Sequence, residues 1–278
     1  MSDALKKHWP EYLMEAAELG IFMVSATVFT ILLYHPGSPL FQAIPAEFGR
    51  RVLMGLAMGL TLVGIVFSPW GKQSGAHMNP AFTLTFFWLG KVALWDAVFY
   101  ILAQFIGGIA GVATVAAFAG KWLAHPAVNY APTLPGNDGV AISFLAEALI
   151  SFLLVVIVLT VSSTQKLARF TGVFAGACVA MFIIFESPLS GMSMNPARTV
   201  GSALLPGLWT ALWVYFLAPS LGMLTAAAAY KFLNGRLACP KYHHLNNKRC
   251  IFCEHQKAQG TNRRPNKTAV VEASMFRD

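Results

Sequence analysis

The chain has 278 residues, of which 56% are hydrophobic and only 12% charged, with a mean hydropathy of +0.58. Soluble domains carry roughly 25% charged residues, so this sequence cannot cover itself with a water-compatible surface and belongs in lipid. Its net charge of +8 is concentrated at one end: residues 234–278 hold nine Lys or Arg against three acids, a balance that suits a tail beside anionic lipid and gives no reason to invoke nucleic acid.

Lys6 and Lys7 precede an apolar run from Leu19 to Tyr34 that is followed by His35-Pro36-Gly37, without a small-residue cleavage site. The run is therefore read as a first membrane helix rather than a removable leader. Six apolar stretches, near 12–34, 48–68, 92–118, 141–162, 169–186 and 208–233, are long enough to cross about 30 Å of hydrocarbon at about 1.5 Å per residue. Turn chemistry separates them at Pro36 to Pro39, Ser68 to Gly71, Pro132 to Gly139 and Ser187-Pro188. Paired glycines four apart, such as Gly55/Gly59, Gly107/Gly111 and Gly172/Gly176, read as places where helices pack closely.

Six spans put residues 1–11 and 234–278 on one side, together with Lys72, Lys91, Lys166 and Arg169. The positive-inside tendency names that side the cytoplasm, although Arg50 and Arg51 fall on the other. The expected organisation is a cytoplasmic segment at 1–11, a membrane domain at 12–233 with repeats near 12–118 and 141–233, and a basic cytoplasmic tail at 234–278. A cell (inner) membrane location goes with it.

The two halves repeat. Residues 74–81 read Ser-Gly-Ala-His-Met-Asn-Pro-Ala and residues 190–197 read Ser-Gly-Met-Ser-Met-Asn-Pro-Ala, identical at six of eight positions and 116 apart. Three spans per repeat is an odd number, so the copies enter the membrane from opposite faces as an inverted repeat. Asn followed by Pro is a helix-start signal, because Asn caps free N–H groups and Pro needs none. Each Asn-Pro-Ala opens a stretch too short to span, Phe82 to Leu89 and Arg198 to Leu205. The predicted fold is thus an all-α membrane protein with six transmembrane helices and two half-helices. Half-helices meeting at their N-termini put two positive dipole ends, each roughly half a charge, at the membrane centre. Cations and protons meet a barrier there, while the Asn79 and Asn195 amides can donate to a passing water.

On these motifs the chain resembles the aquaporin and glycerol-facilitator family, the major intrinsic proteins, from about residue 11 to 233. Asn79, Pro80, Ala81 and Asn195, Pro196, Ala197 look like its two pore signatures, and Tyr100, Gln104, Ala146 and Glu147 also fit. The resemblance implies a right-handed bundle, one pore per subunit of a homotetramer, and four residues forming a constriction on the outer side. Arg198, three after Asn195, takes one of those positions, and counting back from Asn195 gives Met192 and Ile183. In the second span the choice lies between Met58 and Gly59, with Met58 preferred. Met58, Ile183, Met192 and Arg198 make a filter that is apolar on three sides and departs from the strictly water-selective pattern, which has His where Ile183 stands. That ring leans toward carbon-bearing neutral solutes such as polyols, urea, peroxide or metalloid acids, with or without water.

Glu18 and Glu147 are acids within apolar spans, where a charge costs at least about 2.5 kcal/mol. They are assigned, with His77, to holding the pore loops in place; Glu15 is an alternative to Glu18. In the tail, Cys250-Ile251-Phe252-Cys253 with Cys239 and His243 or His244 has the ligand types of a tetrahedral zinc site. From Ala258 to Lys267 the sequence reads as disordered. Transport itself needs no cofactor and no covalent chemistry, and neither a nucleophile–base pair nor a phosphate-binding glycine loop stands out in the sequence. The rival readings are an ion-coupled secondary transporter, which would need an intramembrane acid pair, and a metal-sensing or junction protein with a vestigial pore.

Overall fold

A computed structural model describes residues 1–233, 235, 239–241 and 249–261. Among these residues the secondary structure is entirely helical, and six helices are long and apolar enough to cross a membrane. They are α1 (Ser2–Tyr34), α3 (Glu47–Phe67), α6 (Leu94–Leu123), α7 (Val140–Ser162), α8 (Thr171–Phe185) and α11 (Leu212–Phe232). Between them lie the short α2 (Pro39–Ala43), α4 (Pro69–Ser74), α5 (Pro80–Trp88), α9 (Ser187–Ser190) and α10 (Pro196–Leu204); α12 (Ile251–Thr261) follows the last span.

The first span begins earlier than its apolar run. Helix α1 is continuous from Ser2 through Pro10, so residues 1–11 extend the membrane helix by several turns. Asp96 anchors this extension, accepting hydrogen bonds from Tyr12 Oη at 2.6 Å and from His8 Nδ1 at 2.6 Å. The third span runs to Leu123, beyond its expected end, with a break from helical geometry at Ala119. The tail also differs from expectation, because α12 carries helix through Ala258 to Thr261.

The spans pair as the repeat requires: α1 against α6, α7 against α11, and α3 against α8 across the two halves. Glycine sets the closeness of the last pair. A Cβ on Gly59 would lie 2.6 Å from the Gly176 carbonyl oxygen, so only hydrogen fits. Many of the large apolar side chains left exposed, among them Leu60, Ile106, Phe118 and Leu145, lie on the spans, where hydrocarbon would cover them.

Arg50 and Arg51, on the less basic face, have local work. Arg50 donates to the Ile44 and Pro45 carbonyls at 2.8 Å each and lies over the Phe41 ring, fixing the segment after α2. Arg51 lies over Phe48.

Candidate functional site

Half-helices α5 and α10 each have nine residues, about 14 Å at 1.5 Å per residue, or half a bilayer core. Asn79 and Asn195 cap them from inside, each side-chain oxygen accepting the N–H two residues on, from Ala81 at 2.9 Å and Ala197 at 3.0 Å. Pro80 and Pro196 occupy the first helical position, where a missing N–H costs nothing.

The two caps then cross. Asn79 Nδ2 donates to the Met194 carbonyl at 2.7 Å, and Asn195 Nδ2 donates to the Met78 carbonyl at 2.7 Å. One N–H of each amide is thereby committed to the opposite loop and fixes the amide plane. The second is left facing a cavity of about 400 Å³ that both residues line.

The loops that present the asparagines are strained in the same way. Gly75, Ala76 and Met78 in one, and Gly191, Met192 and Met194 in the other, all have positive φ; for non-glycine residues this costs roughly 1–2 kcal/mol each. Buried carboxylates hold the shape. Glu147 accepts the Ser193 and Met194 N–H groups at 2.6 Å each and the Ser190 hydroxyl at 2.8 Å. In the first half the work is divided. Glu15 accepts the His77 and Met78 N–H groups at 2.7 Å each, and Glu18, one turn on, accepts from Ser74 Oγ at 2.9 and 3.0 Å. Gln104 Nε2 donates to Glu15 at 2.8 Å and to Thr83 Oγ1 at 3.0 Å. Of the acids named from sequence, Glu147 therefore meets loop backbone, whereas in the first half Glu15 does so and Glu18 reaches only a serine.

Other partners follow the repeat. Tyr100 donates to the Ser74 carbonyl at 2.8 Å, and Tyr215, unnoticed in the sequence, donates to the Ser190 carbonyl at 2.7 Å. His77 Nδ1 pairs with Thr83 Oγ1 at 3.1 Å, as Ser193 Oγ pairs with Thr199 Oγ1 at 2.6 Å. Aligning the two copies residue by residue would have found Tyr215, which sits one position from the exact repeat of Tyr100. Glu186 also accepts from Ser190, and nothing in the repeat foretells it.

Met58, Ile183, Met192 and Arg198 all line the cavity, together with His77 and Phe82. Gly59 instead packs against Gly176 and does not reach it. Arg198 Nη1 has one weak side-chain contact, to Ser202 Oγ at 3.4 Å, so most of its donors stay uncommitted. His77 Nε2 is buried without a protein partner. The wall is mostly carbon with a few polar atoms at fixed points, the composition of a site that selects by shape and sparse hydrogen bonding.

In the tail, Cys239, Cys250 and Cys253 have their sulfurs within 4.8 Å of one another, an arrangement able to hold a metal. His243 and His244 lie outside the described residues. Burial pulls the Lys241 ammonium below its ordinary range, and the three thiols oppose that shift.

Six apolar spans and two re-entrant half-helices joined at crossed asparagine caps define a multi-pass membrane protein of inverted-repeat architecture. The chain belongs to the Major intrinsic protein family, whose profile matches residues 7–230. It is similar to Aquaporin NIP2-1 of Zea mays, at 34% identity over 208 residues, 74% of this chain and 66% of that protein. It is also similar to Glycerol uptake facilitator protein-like 6 of Lactiplantibacillus plantarum, at 36% identity over 187 residues, 64% of this chain and 83% of that one. Against Aquaporin NIP3-1 of Zea mays, 34% identical, the chain spans 59% of the relative's length. The X-ray structure of the aquaglyceroporin from Plasmodium falciparum shares the fold, with a TM-score of 0.66 at 18% identity, covering 84% of this chain and 98% of that one.

Proposed function

We propose that this protein is a passive channel for water and small neutral solutes that excludes ions and protons. The observation that carries the reading is the crossed pair of asparagine caps on the wall of a continuous cavity. Two half-helix N-termini concentrate positive potential there, and each amide keeps one N–H free to orient a single file of neutral molecules. Three of the buried acids support flux without ion coupling. Glu15, Glu18 and Glu147 are occupied by loop groups, so none is free to carry a proton or sodium.

Met58, Ile183, Met192 and Arg198 form the filter in this reading. Three apolar side chains offer a passing water few partners but accommodate the carbons of a polyol or urea, while Arg198 supplies donors and a second cation barrier. Residues 1–11 and 234–278 face the cytoplasm of the cell (inner) membrane, on the side of Lys72, Lys91, Lys166 and Arg169, and four copies assemble as a homotetramer with a pore in each. The permeation step itself uses no cofactor; zinc is the proposed ion for the tail cysteines.

Stopped-flow light scattering on proteoliposomes with water, glycerol and urea gradients tests the reading. Permeability above bare lipid for at least one neutral solute, without saturation or dependence on an ion gradient, is expected. Flux that required a proton or sodium gradient would transfer the protein to the secondary transporters.

A further inference from the structure

The tail does more than carry charge. Ile251 and Phe252 are 2% and 1% exposed and belong to the main hydrophobic core, although they lie after the last span. Phe252 stacks on the His77 ring at 5.4 Å between centroids and 6° between planes, and also meets Tyr100 edge-on. A Cβ on Gly75 would lie 3.2 Å from the Pro240 carbonyl oxygen and 3.3 Å from the Phe252 ring. Gln73 Nε2 donates to the Arg249 carbonyl at 3.2 Å and to Glu11 at 2.8 Å. Residues 239–241 and 249–253 thus underpin the first pore loop from its own side of the membrane, yet none of them lines the cavity.

The two pieces of this prop are joined at the cysteines. Cys239 Sγ lies 3.6 Å from Cys250 Sγ and 3.7 Å from Cys253 Sγ. A disulfide requires about 2.05 Å, so these are not bonded sulfurs. Tetrahedral zinc with Zn–S near 2.3 Å sets neighbouring sulfurs about 3.8 Å apart, and the observed spacings fall on that edge. Beside them Lys241, 1% exposed, packs its side chain into the same buried stretch.

We infer that Cys239, Cys250 and Cys253 bind a thiophilic divalent cation of the zinc class, and that this ion locks the tail beneath the loop bearing His77 and Asn79, so that metal occupancy sustains flux. A water completes the tetrahedron as the fourth donor. The flux arm rests on the channel reading above; the binding arm does not. The ion fastens Phe252 under a loop whose positive-φ residues need support, and its loss releases that support.

The test uses the full chain in detergent and in vesicles. Cobalt(II) should bind one per chain with a thiolate charge-transfer band, and zinc should protect the tail from limited proteolysis; Cys239→Ser and the double variant Cys250→Ser/Cys253→Ser should lose both, with affinity falling by about 100-fold or more. A missing band, or a count of two free thiols per denatured chain where four are expected, overturns the site. In vesicles, chelation should lower glycerol or urea flux at least about threefold and zinc should restore it. Phe252→Ala should keep the cobalt band yet show the low flux without metal dependence. Equal flux with and without zinc overturns the coupling. Bare-lipid permeability in both metal states, with zinc-dependent protection of the tail intact, would sink the channel reading and leave the metal clasp standing.

Discussion

The two pore loops are near copies in sequence and backbone, but they are braced from different places. Residues 189–199 are covered by the connection between α6 and α7: Gly136 N donates to the Leu189 carbonyl at 2.9 Å, Thr133 Oγ1 meets Thr199 Oγ1 at 2.7 Å, and a Cβ on Gly191 would lie 3.0 Å from Leu134 N. Residues 74–79 are covered by α1 and by a tail segment distant in sequence. The repeat therefore sets the geometry that both halves need, the helix cap, the positive-φ turn and the carboxylate under it. What differs between the copies, Arg198 against Phe82 and Ser193 against His77, sets the chemistry of the wall.

The largest effect should come from the carboxylates. Glu147→Ala leaves two buried N–H groups unpartnered, at about 1–3 kcal/mol each, and should abolish folded protein or lower its thermal melting strongly in detergent. Glu15→Ala should cost a similar amount, whereas Glu18→Ala, which frees only a serine hydroxyl, should cost less; the reverse order would break the division of labour described above. Next comes the α3–α8 contact. Gly59→Ala should destabilise by about 1–3 kcal/mol through overpacking, while Gly64→Ala, whose new methyl meets nothing within 4 Å, should be neutral or slightly stabilising in the same melt. Arg198→Ala should leave the fold intact, raise flux of the larger neutral solutes and weaken cation exclusion, read as swelling and conductance on one preparation. Ile183→His should shift preference from glycerol and urea toward water, and an unchanged ratio would count against the filter assignment. Smallest of all, Met58→Leu keeps volume and polarity, should cost under about 1.5 kcal/mol and should alter flux only slightly.

Much of this was legible because it is periodic or local. Apolar run lengths marked the spans, Asn-Pro marked the half-helix starts, and the 116-residue repeat with three spans per half forced the inversion. Between Met58 and Gly59, the four-residue glycine spacing already marked Gly59 for helix packing, but its partner Gly176, in the other half, emerges only from the assembled fold. Glu15 and Glu18 lie three apart on one helix face, so spacing could not separate the one that meets backbone from the one that meets Ser74. The tail was hidden by its composition. Ile251 and Phe252 are two apolar residues in a basic, polar stretch, too few to register as a buried element, and their burial depends on a loop some 175 residues earlier. Glu186 sits at a helix end, where an acid ordinarily meets water, and its serine partner appears only when α9 folds back.

The most direct test of the central claim measures neutral-solute entry and proton leak on the same vesicles, with scattering and an internal pH dye. Crossed asparagine caps at a positive centre predict solute permeability well above bare lipid with proton leak unchanged. Protons passing as freely as the solute, or no solute passing at all, would contradict it.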